Sequence, residues 1–278
     1  MILFPHAKIN IGLDIVGKLP NGYHLIDTIM VHTDWEDVLE LTQAEQTELV
    51  VTGRPVNCPP EKNLVMRAYN LLAETVGGLP PTRIQLHKII PDGAGLGGGS
   101  ADAAYTLRGL NELYELGLDN PTLAQLASRL GADCPFFIYD EPMFCTGIGT
   151  ELKPFNLGDK LAPYTLAIVK PPFGVSTAEA YAGVTIERPI EPLTHRVLRQ
   201  VEEWNNTVCN AFERSVTPSF PAITEIKTGL QQLGAVYAAM SGSGSAVYAF
   251  FPKSDSEALK DVLSSKFTDC AVHVSKNS

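Results

Sequence analysis

The sequence lacks the features that mark several large classes of protein. Its five cysteines are scattered without a C-x-x-C pair, and its six histidines show no H-x-x-x-H spacing. This pattern disfavours a disulfide framework or a zinc site and is typical of free thiols in a reducing compartment. No apolar run approaches the ~20 residues of a membrane-spanning helix, and the first residues do not resemble a secretion signal. We therefore expect a cytoplasmic protein that is not bound to a membrane.

An excess of basic residues is also missing. The chain carries 21 Lys and Arg against 31 Asp and Glu, a net charge of −10. Such a balance argues against nucleic acid or an anionic membrane as a partner, because no basic stripe is available to release counterions. The composition, 45% hydrophobic and 19% charged over 278 residues, instead predicts a globular protein of one large or two ordinary domains. A small molecule is the expected partner, and the sequence leaves open whether the protein is a monomer or a weak homodimer.

What is present is an alternation of strand and helix patterns that restarts in the second half. Because strands come in runs separated by groups of helices, we predict the α+β class. A polar stretch rich in Pro and Gly at 153–160 predicts a boundary between domains 1–155 and 156–278. The predicted strands are 9–16, 25–34, 37–42, 83–89, 135–139, 164–170, 235–240 and 246–251. The predicted helices are 61–76, 99–116, 120–130 (with Asn120 as N-cap), 177–182, 194–212, 222–233 and one opened by a capping box at Ser254 and Glu257.

The most informative stretch is 91–104, which reads PDGAGLGGGSADAA. Five of the seven residues from Gly93 to Gly99 are glycine, and helix-forming residues follow directly. Glycine permits positive φ and close approach of a ligand, and a helix start presents unpaired N–H groups at the positive end of the helix dipole. The stretch therefore predicts a loop that binds phosphate.

Two common phosphate-binding motifs fit this loop poorly. For a Walker P-loop, Gly93 and Gly98 are in place, but Gly99 stands where the lysine is required. For a dinucleotide fingerprint, Gly93, Gly95 and Gly98 match, but an acid should follow about 20 residues later at the end of a strand. The residue nearest to that spacing, Asp119, lies at the start of a helix.

A third pattern, P-x-x-x-G-L-G-[SG]-[SG]-S-A, matches Pro91 through Ala101. With Ala7–Asn10 (AKIN) near the start and Met240–Ser245 (MSGSGS) near the end, it resembles the three ordered motifs of the GHMP kinases. The resemblance covers essentially all of the chain. It implies a mixed β/α N-terminal domain with the phosphate loop, a C-terminal α/β sandwich domain, and an active site in the cleft between them.

Finer features resemble those GHMP kinases that phosphorylate a cytidine diphosphate alcohol of the non-mevalonate isoprenoid pathway. They are the segments 21–24 (NGYH), 97–99 (GGG), 131–136 (GADCPF) and 175–177 (VST) leading to Tyr181. One departure is that 205–208 reads NNTV where we expect an N-D-x-E stretch. A GHMP kinase for homoserine or a mevalonate derivative is an alternative, as is a non-catalytic nucleotide-binding member. The aromatic residues argue against an aliphatic acceptor, and the intact Lys8 and Asp133 argue against a silent member.

The resemblance also implies roles for individual residues. Asp133 accepts the proton of the acceptor hydroxyl, and Lys8 orients that carboxylate and offsets negative charge, while Asn10 hydrogen-bonds the acceptor. Lys88 faces the nucleotide or stands exposed on its strand, and Ser100 lies near Mg²⁺, which ATP oxygens and water otherwise hold. The residues implied to bind ATP are Asn63, Leu64, Lys88, Pro91, Asp92, Gly93, Ala94, Gly95, Leu96, Gly97, Gly98, Gly99, Ser100 and Ala101. Those implied to bind the acceptor are Asn10, Tyr23, His24, Thr177 (also a candidate helix N-cap), Tyr181, Gly242 and Gly244.

Overall fold

The computed structural model describes residues 1–56 and 58–276. Its strands, numbered in chain order, are β1 Ile2–Leu3, β2 His6–Lys18, β3 His24–Glu36, β4 Val38–Gln43, β5 Glu48–Gly53, β6 Thr82–Lys88, β7 Met143–Thr146, β8 Glu151–Pro154, β9 Tyr164–Lys170, β10 Tyr237–Met240, β11 Val247–Pro252 and β12 Ala271–Val274. Its α-helices are α1 Leu64–Val76, α2 Gly98–Leu113, α3 Asn120–Ser128, α4 Thr177–Ala182, α5 Leu193–Arg196, α6 Trp204–Thr207, α7 Phe212–Val216, α8 Pro221–Gln232 and α9 Ser256–Lys266. Short 3₁₀ helices occupy Pro60–Lys62, Cys134–Ile138, Gly158–Leu161 and Val201–Glu203. The predicted α+β class is confirmed.

The chain folds into two compact units, each assembled from separate stretches of sequence. Unit 1 comprises Met1–Lys8, Trp35–Asp92 and Gly97–Asp140, and unit 2 comprises Ile9–Asp34, Gly93–Leu96 and the chain from Glu141 onward. Strands that precede position 155 thus lie in both units. The domain boundary between 155 and 156 stays a prediction.

In unit 1, one sheet has the strand order β1-β4-β6-β5, with β5 and β6 parallel and the other two pairs antiparallel. Helix α1 connects the two parallel strands, as a parallel pair requires. Helices α1 and α2 pack against each other, and α2 also contacts β4. The apolar residues buried on these elements follow the helix and strand periods: Val65, Ala68, Leu72, Ala103, Leu107, Leu110, Leu39, Leu41, Ile84 and Leu86.

In unit 2, an antiparallel sheet has the order β10-β11-β9-β12. A further sheet, β2-β3-β7-β8, lies for the most part in this unit. The core of unit 2 joins residues from β2 and β9–β12 to the buried faces of α4, α7, α8 and α9. Strands β10 and β11 are buried almost throughout, which explains their near-continuous apolar sequence.

Sequence patterns missed β1, β5, β7, β8 and β12, of which β1 is only two residues long. The side chains of β5 are mostly exposed or half-buried, and this strand pairs with β6 through its backbone. Strands β7, β8 and β12 are only four residues long. Elements that bury few side chains leave little periodicity to detect.

The continuous helix predicted over 194–212 is wrong. The structure breaks this stretch into α5, the 3₁₀ helix at Val201–Glu203 and α6, and α7 begins only at Phe212. Its buried residues, Leu193, Val197, Val201, Trp204 and Val208, nevertheless keep a helical spacing, which misled the prediction. The Arg196 side chain donates to the carbonyl of Thr207 at 2.6 Å, so it partners a carbonyl that an unbroken helix would satisfy internally.

Two of the predicted N-caps, those of α3 and α9, are off by one residue. Helix α3 is capped by Asp119 and not by Asn120, since the Asp119 carboxylate accepts from the amide of Thr122. Helix α9 is capped by Asp255 and not by Ser254. In each case two capping residue types are adjacent, and sequence alone does not select between them.

No helix within the described ranges is long and apolar enough to span a bilayer.

Candidate active site

Lys8 and Asp133 form an ion pair in unit 1. The Lys8 ammonium lies 3.4 Å from Asp133 Oδ2, and the Lys8 side chain is only 3% exposed. The predicted pairing of these two residues is therefore present, and Lys8 is buried although it lies on a strand. The Asp133 side chain remains 35% exposed, so its carboxylate is both held by an ammonium and open to a ligand.

Asp133 owes its position to the segment that follows it. We expected a strand at 135–139, but Cys134–Ile138 forms a 3₁₀ helix with Asp133 at its N-cap and all five residues buried. A strand with one solvent face would alternate buried and exposed side chains, and Pro135 suits the first turn of a helix. Burial of Phe136 and Phe137 anchors this helix and fixes the adjacent carboxylate.

The glycine loop has the backbone that its sequence predicts. Gly93, Gly95 and Gly97 have φ of 58°, 72° and 71°. Gly97 is the N-cap of α2 and, being glycine, has no side chain with which to satisfy the first amides of the helix. Ser100 does not cap α2, because it is the third residue of that helix. The loop therefore ends at the N-terminus of α2, where a helix can bind an anion.

The loop packs directly against the Lys8–Asp133 pair. A Cβ placed on Gly97 would lie 2.8 Å from Phe137 Cζ and 3.1 Å from Lys8 Cγ. Real Cβ atoms do not approach other atoms this closely without displacing them. The backbone at Gly97 therefore borders the stem of the lysine whose ammonium holds Asp133.

Replacing Gly97 with alanine is expected to lose about 1–3 kcal/mol of stability, because the positive φ is strained for alanine. The added methyl group would also displace Lys8 or Phe137, so we expect the KM for ATP to rise at least about tenfold. Thermal melting and steady-state kinetics measure the two effects.

Gly99→Ala is the matched control for stability. Gly99 has no positive φ, and its added Cβ would meet Leu64 Cδ1 at an ordinary 3.8 Å. Alanine favours a helix over glycine by about 0.5–1 kcal/mol, so this variant should melt at or above the temperature of the parent protein. Equal melting temperatures for Gly97→Ala and Gly99→Ala would contradict the assigned loop geometry.

Three more predicted ATP-site residues lie in unit 1 near the start of α2. The contact to Leu64 places that residue beside Gly99. Asn63 caps α1 by accepting from the amide of Val65, so it has a structural role whether or not it contacts adenine. Burial raises the pKa of the neighbouring Cys134 thiol to about 11, although a hydrogen bond with Ser100 lowers it. A thiol with this pKa stays protonated and does not act as a nucleophile.

Lys88 is buried, so the expectation of an exposed strand position is wrong. Its ammonium forms ion pairs with Asp37 and, at 2.6 Å, with Asp102. Burial by itself lowers the pKa of Lys88, but the two carboxylates raise it above its usual value, so the ammonium is retained. Burial also raises the pKa of the Asp102 carboxyl, while the Lys88 ammonium acts in the opposite direction. The strand alternation could have indicated the burial, because Lys88 shares its face of β6 with the core residues Ile84 and Leu86.

In unit 2, the predicted aromatic residues come together in part. The rings of His24 and Tyr181 stack with centroids 4.8 Å apart, and Tyr181 also meets Phe212 edge to face at 4.7 Å. Tyr23 is 60% exposed. Burial, and secondarily Lys18, lowers the pKa of His24, which keeps the imidazole neutral with one donor and one acceptor nitrogen.

The remaining predicted residues surround the third glycine segment. Asn10 is buried and donates to Thr28 Oγ1 at 3.0 Å. Its Oδ1 would be 3.3 Å from a Cβ on Gly242. Ser241 Oγ donates to the carbonyl of Gly95 at 2.9 Å, so this segment, which includes Gly244, packs on the first half of the glycine loop.

Thr177 approaches the same segment, since its hydroxyl is 3.4 Å from that of Ser243. It does not cap α4. Ser176 does so, in a capping box with Glu179.

Sequence reasoning missed the residues that hold this segment in place. Asn210 donates to the carbonyls of Met240 and Gly242, both at 2.8 Å, and Glu213 accepts from the amide of Met240. The stretch 210–213 reads NAFE, which fits N-x-x-E with alanine in place of aspartate. This stretch lies five residues after 205–208, where the sequence analysis expected the motif.

Two family models match the chain. The model of the GHMP kinases N terminal domain matches residues 63–141, and that of the GHMP kinases C terminal matches residues 194–269. The first match contains the glycine loop and Asp133, and the second contains Asn210 and Gly242. The matches and the site define the class of protein, a GHMP kinase.

Curated relatives are similar over nearly the whole chain. A 4-diphosphocytidyl-2-C-methyl-D-erythritol kinase of Parabacteroides distasonis is 48% identical over 253 residues, which cover 91% of this chain and 92% of the relative. One of Bacteroides fragilis is 47% identical over 255 residues, covering 90% and 92%. The chain belongs to the family of the 4-diphosphocytidyl-2-C-methyl-D-erythritol kinases.

Solved structures agree. A crystal structure of a 4-(cytidine 5'-diphospho)-2C-methyl-D-erythritol kinase matches with a TM-score of 0.83 and 30% identity, covering 99% of this chain and 98% of the other. A homoserine kinase of Cytophaga hutchinsonii matches with a TM-score of 0.70 and 17% identity, covering 98% and 95%. At that identity the second likeness concerns the fold alone. The two-domain GHMP kinase fold is confirmed.

Proposed function

We propose that this protein transfers the γ-phosphoryl group of ATP to the 2-hydroxyl of 4-diphosphocytidyl-2-C-methyl-D-erythritol, a step toward isoprenoid precursors by the non-mevalonate route. The observation that carries the proposal is the direct contact of the glycine loop with the Lys8–Asp133 pair. Gly97 borders the Lys8 stem, and the Lys8 ammonium lies 3.4 Å from the Asp133 carboxylate. A phosphate-binding backbone and a proton acceptor thus occupy one place, as phosphoryl transfer to an alcohol requires.

The loop residues from Pro91 to Ala101 fit a triphosphate. Three of its glycines have positive φ, and the glycine N-cap of α2 leaves the first amides of that helix without a side-chain acceptor. Anions bind such helix starts through these amides and the helix dipole. Leu64 beside Gly99 supports the assignment of the adenine to Asn63 and Leu64.

Magnesium fits the same site through the nucleotide. Among the described residues, no group of three or more His, Cys, Asp or Glu is placed to hold a metal ion. Mg²⁺ commonly binds through substrate phosphates, water and one or two protein oxygens, and the Ser100 hydroxyl is the candidate oxygen. When bound, the ion would neutralise charge on the phosphate oxygens.

Asp133 and Lys8 divide the chemistry between them. As the acceptor oxygen bonds to the γ-phosphorus, the hydroxyl proton passes to the Asp133 carboxylate, the bond from phosphorus to the bridging oxygen breaks, and ADP leaves. The Lys8 ammonium orients the carboxylate and offsets negative charge on the transferred group. Neither role requires a covalent intermediate on the protein.

The aromatic residues of unit 2 supply specificity for the cytosine. A ring face stabilises a bound base by about 1–3 kcal/mol through stacking, and Tyr23 and Tyr181 are the candidates for it. A neutral His24 can donate to and accept from the base edge. We assign the rest of the acceptor to the segment Met240–Ser245 and the residues beside it. The residues concerned are Asn10, Thr177, Gly242 and Gly244.

Tyr181→Leu is expected to raise the KM for the acceptor about tenfold or more, because the ring that stacks on the base is lost. The KM for ATP should stay within about twofold, since the residues assigned to ATP are untouched. Tyr181→Phe keeps the ring and serves as the control, with kinetics close to those of the parent. If Tyr181→Leu changed both KM values equally, Tyr181 would not contact the acceptor.

Two features of the protein bear on the compartment of the cell in which it acts. The reaction consumes ATP, and the five cysteines are free thiols. Both features support a cytoplasmic location.

An assay with a panel of acceptors tests the proposal. Purified protein, ATP and Mg²⁺ are mixed separately with 4-diphosphocytidyl-2-C-methyl-D-erythritol, homoserine and mevalonate, and ADP is measured. We expect ADP release only with the cytidyl acceptor. Turnover of homoserine or mevalonate would indicate another GHMP kinase, and turnover of none would leave a non-catalytic nucleotide-binding protein.

A further inference from the structure

A buried cluster of charges lies beside the glycine loop and has no role in the chemistry described above. It consists of Asp37, Lys88 and Asp102, which are 0%, 5% and 2% exposed. They come from three different elements: the turn between β3 and β4, the last residue of β6, and the fifth residue of α2. Burying three ionisable groups together is costly unless their contacts are specific.

The cluster binds the backbone where the chain enters the loop. Asp37 Oδ1 accepts hydrogen bonds from the amides of Ile89 and Ile90, the two residues before Pro91, and the second of these bonds is 2.9 Å long. The other oxygen of the same carboxylate binds the Lys88 ammonium. Hydrogen bonds to a charged carboxylate are stronger than those between neutral groups, so the path of residues 88–90 is well determined.

The cluster also binds the helix at which the chain leaves the loop. The Lys88 ammonium donates to Asp102 Oδ2 at 2.6 Å, and it lies 3.4 Å from the position of a Cβ on Gly98. One lysine therefore connects the residues before the loop to the first turns of α2. Both ends of the segment 91–97 are tied to a single buried group.

We propose that the Asp37–Lys88–Asp102 cluster positions the glycine loop for ATP, and that these three are positioning residues that touch neither substrate. The inference rests on the proposed function in taking ATP as the ligand. The segment 91–97 contains three glycines, and it loses much conformational entropy when a ligand orders it. Because the cluster fixes both ends beforehand, less of that cost is incurred on binding, and ATP binds more tightly.

Two substitutions at Asp102 test this proposal. They differ in whether the Lys88 ammonium keeps a hydrogen-bond acceptor at position 102. Asp102→Ala removes the acceptor and opens the connection from β6 to α2. Asp102→Asn keeps an oxygen for the Lys88 ammonium and places an amide NH₂ at Oδ1, an atom with no hydrogen-bond partner in the described structure. Lys88 itself is left unchanged, because its removal would leave two buried carboxylates facing each other.

We expect Asp102→Ala to raise the KM for ATP about tenfold, with kcat and the KM for the acceptor within about twofold of the parent. Without nucleotide, hydrogen exchange of the amides in 89–99 should become faster in this variant. Asp102→Asn should retain the slow exchange and most of the affinity for ATP. That recovery would show that the loop requires a hydrogen-bond acceptor for the Lys88 ammonium at position 102 and not a negative charge there.

Asp140→Ala is the matched control, because Asp140 binds another residue of the same helix. It removes both oxygens that accept hydrogen bonds from Arg108 of α2, at 2.7 and 2.8 Å, without touching the cluster. This variant should behave as the parent does in both assays. A rise in its KM for ATP equal to that of Asp102→Ala would overturn the proposal, because any lost ion pair on α2 would then suffice.

An unchanged exchange rate in 89–99 for Asp102→Ala would also overturn the proposal, as would a fall in its melting temperature with no change in the KM for ATP. Exchange is measured without ligand, so it tests the positioning separately from the proposed function. If the unaltered protein failed to bind ATP, the proposed function would fail instead.

Discussion

Asp133→Asn is expected to lower kcat by about 10²–10⁴-fold, the usual contribution of a general base. The amide has nearly the size and shape of the carboxylate but cannot take up the hydroxyl proton. Its oxygen can still accept from the Lys8 ammonium, which lies 3.4 Å from Oδ2 in the parent protein. The glycine loop should therefore keep its geometry, and steady-state kinetics with the cytidyl acceptor measure the loss.

The affinity for nucleotide is the internal control for this variant. Calorimetric titration with a non-hydrolysable ATP analogue should give a Kd within about twofold of the parent value. A kcat within about tenfold of the parent would contradict the role of Asp133 as proton acceptor, since a general base contributes at least ~10²-fold. A Kd that rose in step with the loss of kcat would instead indicate a damaged loop.

Lys8→Met should lower kcat about 10²–10³-fold, because a preorganised positive group near the transferred phosphate is lost. Methionine retains much of the buried hydrocarbon stem against Gly97 and Phe137. The Asp133 side chain is 35% exposed, so its carboxylate keeps contact with water when the ammonium is removed. We therefore expect a folded protein with a melting temperature close to that of the parent.

Lys260→Met, an exposed lysine on α9, controls for the loss of one positive charge. Its kinetics should match those of the parent. If Lys8→Met kept kcat within about threefold, Lys8 would have only a structural role.

The sequence predicted the chemistry of the site better than the path of the chain. Residues that bind phosphate through the backbone must be glycine wherever φ is positive, so Gly93, Gly95 and Gly97 were visible as a pattern. A lysine in an apolar strand needs an anion, which pointed to the pairing of Lys8 with Asp133. These requirements are local or concern residue type, and both can be inferred from one sequence.

The structure was needed for residues whose role depends on distant partners. Asp37 and Asp102 look like ordinary polar residues in a turn and near a helix start, yet both bind Lys88. Asn210 and Glu213 act on a segment some 30 residues further along the chain. The helix predicted over 194–212 failed for a related reason, because Arg196 satisfies backbone carbonyls across the breaks.

The most direct test of the account is ³¹P NMR of the reaction with the cytidyl acceptor. We expect one new phosphate monoester resonance on the acceptor, formed in equal amount with ADP and lost in Asp133→Asn. Formation of ADP and inorganic phosphate without that resonance would contradict the assignment of this site to phosphoryl transfer onto the acceptor hydroxyl.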